Sequence, residues 1–80
     1  MFKPTEEQIN AFEQITTLAL TQSQRLLVDP EARQRDFEAT EEFRKQHTEF
    51  YNWLMQTSKG FEFLVNTRHR VQAELGSSNE

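Results

Sequence analysis

His47 is the side chain whose position most invites a chemical reading. It stands between Phe43 and Phe50 in an apolar stripe of helical spacing, and a buried imidazole titrating near neutrality can serve as a base, a metal ligand or a pH switch. A helical metal site needs a second ligand on the same face, in a spacing such as Glu-x-x-His; Arg44 holds that place before His47, and Asn66 holds it before His69. The expectation is therefore a histidine at the edge of the core, one ring nitrogen bonded to a carboxylate or water, with no metal and no cofactor.

Glu38, Glu41, Glu42 and Glu49 form an acidic region, and paired carboxylates can do acid and base work when burial splits their pKa values. Here Arg44 and Lys45 are interspersed, with Glu41 four residues before Lys45, which predicts a solvated face laced with ion pairs. No glycine precedes Gly60, so no glycine-rich turn presents a hydroxyl nucleophile or cradles a phosphate. No catalytic residue is assigned, and the chain reads as non-enzymatic. Arg68-His69-Arg70 is the only local basic cluster of the C-terminal third, and Arg33 and Arg35 make a second small one. With 13 acidic against 9 basic residues and a net charge of −4, they are expected to answer the acidic excess rather than bind nucleic acid. Nine interspersed cations also argue against a mimic of the phosphate backbone.

The elements that position these residues are helices. Two glycines, two prolines and no alternating run of β-branched residues leave all-α as the class. A first helix opens at Thr5-Glu6-Glu7-Gln8, a capping-box pattern with two acids where the helix dipole favours them. Its stripe reads Ile9, Phe12, Thr16, Ala19, Leu20, Ser23, Leu26, Leu27, widened by Ala11, Ile15 and Leu18. Asp29-Pro30-Glu31 ends it and starts a second helix, expected to run from Pro30 to about Ser58 and to pack antiparallel on the first. Residues 31–36 are almost wholly polar, a solvated extension or a fraying end.

The densest apolar run, Phe50-Tyr51-Asn52-Trp53-Leu54-Met55, lies in the second helix. Phe50 and Leu54 share one face, Tyr51 and Met55 lie beside it and Trp53 projects from the opposite flank. That apolar arc of roughly 200°, twice the roughly 100° a single stripe needs, predicts two neighbours. Lys59-Gly60 carries a helix-ending signal. A third helix follows with Phe61, Leu64, Val65, Arg68, Val71, Gln72 and Leu75 on one face and Phe63 on the far side, ending at Gly76. The expected fold is a three-helix up-down-up arrangement in one domain, residues 1–76, with a polar disordered tail at 77–80.

Three helices of roughly 35, 43 and 22 Å do not match in length. The short third helix would leave Leu20, Leu26, Leu27, Phe37 and Phe43 without a cover, to be supplied by a second copy or by a helix of another protein. Tyr51, Trp53 and Met55 form a second candidate binding flank, being of the types that anchor interfaces. The function expected is that of a small acidic interaction module, an adaptor, regulator or inhibitor, that forms a homodimer. The lack of cysteine, of any apolar run of about 18–20 residues, and of a secretory layout in Met1-Phe2-Lys3-Pro4-Thr5-Glu6 sets the expected location in the cytoplasm. Attachment to a lipid surface through an amphipathic helix is the alternative. It sits poorly with a first helix bearing only Arg25. A metal or catalytic role centred on His47 comes third.

Overall fold

The computed structural model describes residues 2–77, and through them the chain is all-α. The three expected segments are five helices: α1 (Glu6–Thr21), α2 (Ser23–Val28), α3 (Pro30–Gln46), α4 (Thr48–Gln56) and α5 (Ser58–Ser77). The start of α1 follows the sequence signal closely. The Gln8 N–H donates to Thr5 Oγ1 at 3.1 Å and the Thr5 N–H donates to Gln8 Oε1 at 2.9 Å. Asp29 caps α3 in the same manner, its Oδ1 accepting from the N–H groups of Glu31 at 3.0 Å and Ala32 at 3.4 Å. The polar opening turns of α3 are therefore capped helix rather than a fraying end, with Glu31, Arg33, Gln34 and Arg35 exposed to solvent. Ala32 is fully buried there, and the Arg33 guanidinium donates back to the carbonyls of Leu26 at 3.2 Å and Leu27 at 3.3 Å, satisfying the end of α2.

Threonines mark three of the breaks, those at Gln22 and His47, which the periodicity did not reveal, and the one at Thr57, close to the expected end of the second helix. The Thr21 hydroxyl donates to the Thr17 carbonyl at 2.6 Å just before the kink at Gln22. Thr48 does the same to Arg44 at 2.9 Å beside the joint at His47, and Thr57 to Trp53 at 2.7 Å at the turn into α5. Such back-bonding competes for the carbonyl that the i+4 amide would take and bends the helix. Thr57 has a second duty, because its oxygen accepts the Gly60 N–H at 2.9 Å and so caps α5.

Gly60, expected to end a helix, lies inside the first turn of α5, and its φ is not positive. Its lack of a side chain serves close approach instead: a Cβ there would stand 1.8 Å from the Trp53 carbonyl oxygen and 2.8 Å from the Leu54 Cα. Starting α5 three residues earlier rotates its buried stripe. Gly60, Phe63, Leu64, Thr67 and Val71 face inward or partly inward, whereas Phe61 is exposed. Phe63 thus packs in the core rather than on the far side. Gly76 is likewise within α5, which continues to Ser77, so the residue assigned to the start of a disordered tail is helical. The rest of that expected tail, 78–80, lies outside the described residues.

Phe50 is the hub of the core, with no solvent exposure. Five rings surround it: Phe2 and Trp53 stack at 6.0 Å, Phe43 and Phe63 stand edge-on at 6.0 Å, and Phe12 stands edge-on at 5.9 Å. Phe50→Ala is expected to cost about 3–5 kcal/mol in a denaturant melt. The glycines provide a test of opposite signs. Gly60→Ala is expected to destabilise by about 1–3 kcal/mol because backbone, not a side-chain end, must move. Gly76→Ala, with nothing within 4 Å of its added Cβ, is expected to be neutral or to stabilise by up to about 1 kcal/mol.

Candidate functional site: an open apolar groove

α1 packs against both α3 and α5, while α3 and α5 make no comparable packing with each other. The space between them is a groove of about 470 Å³. Phe12, Ile15, Ala19 and Leu20 of α1 form its floor. Thr40 and Phe43 line one wall from α3, Leu64 and Arg68 the other from α5. Tyr51, Leu54 and Met55 of α4 line it where α4 joins the walls, and Leu26 and Leu27 of α2 extend it at the turn into α3. Thr16 and Ser23 complete the lining. Among the described residues, Arg68 is the one charged side chain in that surface. The volume and the lining, apolar with a few polar groups, are those of a binding cleft.

The two sequence-predicted patches converge here in part. Leu26, Leu27 and Phe43 come from the hairpin end and Tyr51 and Met55 from the aromatic flank, and all five line the one groove. Phe43 is buried in its wall, while Leu27 is 79% and Met55 53% exposed. Phe37 is outside the lining and 60% exposed. Trp53 is not a groove residue either. Its ring packs against Phe2 at 5.5 Å, Phe63 at 5.7 Å and Phe50, on the side of α4 away from Tyr51 and Met55. Leu20, expected at the uncovered hairpin end, also lines the groove; sequence reasoning did not single out Leu64 and Arg68 as groove residues, although each lay on a stripe that periodicity identified. The length mismatch offered as the reason for an uncovered end is also replaced. At 20 residues α5 is longer than expected, and the groove arises from the divergence of α3 and α5.

His47 is a joint. Its N–H donates to the Phe43 carbonyl at 2.9 Å, its carbonyl accepts from Tyr51 N–H at 2.8 Å, and its φ of −131° and ψ of 51° turn α3 into α4. The half-buried ring rests 5.2 Å from that of Phe43, beside a shallow cleft with Ala11, Gln14 and Leu18 of α1. His69 is exposed on α5. Among the described residues no three histidine or carboxylate side chains stand together as metal ligands would. The acidic face of α3 is tied up locally. Arg44 grips Glu41 with both Nε at 3.2 Å and Nη2 at 2.8 Å, Gln34 donates to Glu38 at 3.1 Å, and Gln46 donates to Glu42 at 2.9 Å. The hydrogen bond from Arg44 holds the Glu41 carboxyl below the usual carboxylate range, and the same bond raises the Arg44 guanidinium. Arg70 is raised in the same way by Glu13, 2.8 Å away, a link between α5 and α1.

Comparison with known proteins finds no family model, no curated protein and no solved structure that matches the chain. Among the described residues no helix is long and apolar enough to cross a membrane.

A joint residue makes a different prediction from a ligand or a base. His47→Gln is expected to change stability by less than about 1 kcal/mol, since the backbone bonds of the joint remain. Binding at the groove should stay within a few-fold, as read by photocrosslinking from position 55, with denaturant melts reporting the stability. A stoichiometric metal present in the wild type and missing from the variant would overturn this assignment.

Proposed function

We propose that the protein is a non-enzymatic interaction module, an adaptor, regulator or inhibitor of the cytoplasm, whose apolar groove receives an apolar helical element of a protein partner, and that it self-associates as a homodimer. The observation that carries this reading is the balance of apolar side chains. Among the described residues six hydrophobic residues are buried, one of them only an alanine, and six large ones are exposed: Leu18, Leu27, Val28, Phe37, Met55 and Phe61. Scattered exposed leucines need no explanation, but here Leu27 and Met55 open directly into a groove and Val28 and Phe37 lie next to its α2–α3 end. A helix laid between α3 and α5 would complete a four-helix arrangement around a shared core.

Magnitudes support an association of useful strength. Each exposed side chain forgoes on the order of 1–2 kcal/mol of burial in water, so three from each of two molecules reach roughly 6–12 kcal/mol. That is the size of the roughly 4–15 kcal/mol that association costs.

The test places a photoreactive phenylalanine analogue at Met55, in the groove, or at Ala73, exposed on the side of α5 opposite Val71, and irradiates cells of the native host. Protein adducts are expected from position 55 and not from position 73, and Leu27→Glu in the same chain should remove them. Equal adducts from both positions, or adducts with lipid alone, would sink the reading.

A further inference from the structure

Two charged side chains stand beside the groove without a partner. Arg68 lines it from α5, where the residues three and four away are Leu64, Val65, Val71 and Gln72, so no carboxylate shares its face. Asp36 precedes Thr40 by four residues and Phe43 by seven, which puts it on the α3 face that lines the opposite wall. Neither joins an ion pair among the described residues, whereas Arg44 and Arg70 each hold a carboxylate oxygen at 2.8 Å.

They come from opposite sides of α1. Phe12 of α1 packs on Phe43 of α3 and on Phe63 of α5, so the two walls flank it. Arg68 and Asp36 therefore stand on opposite walls of the groove. A two-fold axis parallel to α1 sets each α5 wall opposite the α3 wall of the other copy. It also brings Leu27 and Phe37, which project beside the groove, over the groove of the other copy. An interface between identical copies needs one patch that is both projection and recess, and this patch is both.

We infer that the occupant of the groove is a second copy of this chain, with the Leu27 and Phe37 edge of each copy covering the groove of the other and Arg68 of each pairing with Asp36 of the other. This rests on the groove being an interaction surface and names what fills it. An apolar contact with two symmetric ion pairs at its rim fixes the register that apolar packing alone would leave free.

Charge reversal tests it in sedimentation equilibrium at micromolar concentration, with helicity by circular dichroism as the control for folding. The wild type is expected to be a dimer. Arg68→Glu alone and Asp36→Arg alone should each weaken it by about tenfold or more, since each leaves like charges facing across the two-fold. The double variant Arg68→Glu/Asp36→Arg should return to within a few-fold of the wild type. A double variant as weak as the single ones overturns the pairing, and a wild-type monomer across the micromolar range overturns the second copy as occupant. Failure of the underlying reading is seen separately: a monomer that still crosslinks from position 55 to a different protein keeps the groove and loses only the dimer. A monomer that takes up a long-chain carboxylate, lost with Arg68→Glu, assigns the groove to a lipid.

Discussion

The structure depends on the closeness with which the first turn of α5 meets the end of α4. Gly60 lies so near the Trp53 carbonyl and the Leu54 Cα that no side chain fits between them. That contact, with Thr57 bonded both to the Trp53 carbonyl and to the Gly60 amide, sets the direction in which α5 departs. Phe63 is then carried onto Phe50, Trp53 and Phe12. The rings around Phe50 come from α1, α3, α4, α5 and the segment before α1, so one side chain ties five parts of an 80-residue chain together. A domain of this size has few such residues to spare, and its core is correspondingly concentrated at one place.

The groove follows from the same constraint. Had α3 and α4 been one straight helix, α5 returning along it would have had the whole of α3 to lie against. The break at His47 turns α4 out of the line of α3, and α5 packs on α4 and α1 instead. α1 then supports two walls that do not meet. The break is local in origin: the Thr48 hydroxyl takes the carbonyls of Arg44 and Lys45, and the backbone at His47 leaves the helical region. The Thr48 hydroxyl bond accompanies the break beside which the groove opens.

These two cases also mark what the sequence makes legible. The capping box at Thr5, the Asp29-Pro30 junction and the burial of Phe50 and Leu54 were all written in residue type and spacing, because each depends on neighbours within a turn or on the size of an apolar side chain. The joints at Gln22 and His47 were not. Apolar periodicity runs unbroken through both, and threonine marks a bend only where its hydroxyl wins a carbonyl from the backbone; Thr16 and Thr67 sit buried inside intact helices. Gly60 misled because glycine has two uses. It permits a left-handed turn and it permits close approach, and only the packing of α4 decides between them. The site was half legible for the same reason. Leu26, Leu27, Phe43, Tyr51 and Met55 were identified by type, whereas the separation of Trp53 from Met55 depends on which side of α4 receives α5.

An open groove beside so compact a core has an energetic consequence. Leu54 and Phe43 belong both to the cluster around Phe50 and to the groove wall, so whatever occupies the groove packs against the same residues that hold the fold. An occupant that binds only the folded chain adds its binding free energy to a stability that for such a domain is about 5 kcal/mol. On the reading proposed here, folding and association are then parts of one equilibrium, with the walls of the groove ordered most firmly when it is filled. The charged rim works in the other direction. A net charge of −4 disfavours indiscriminate contact between copies at long range, while Arg68, a cation in an otherwise uncharged lining, rewards only an approach that brings a carboxylate to it. On the proposed dimer, apolar surface would provide the tendency to associate, and the placement of two charges would select the arrangement in which it is satisfied.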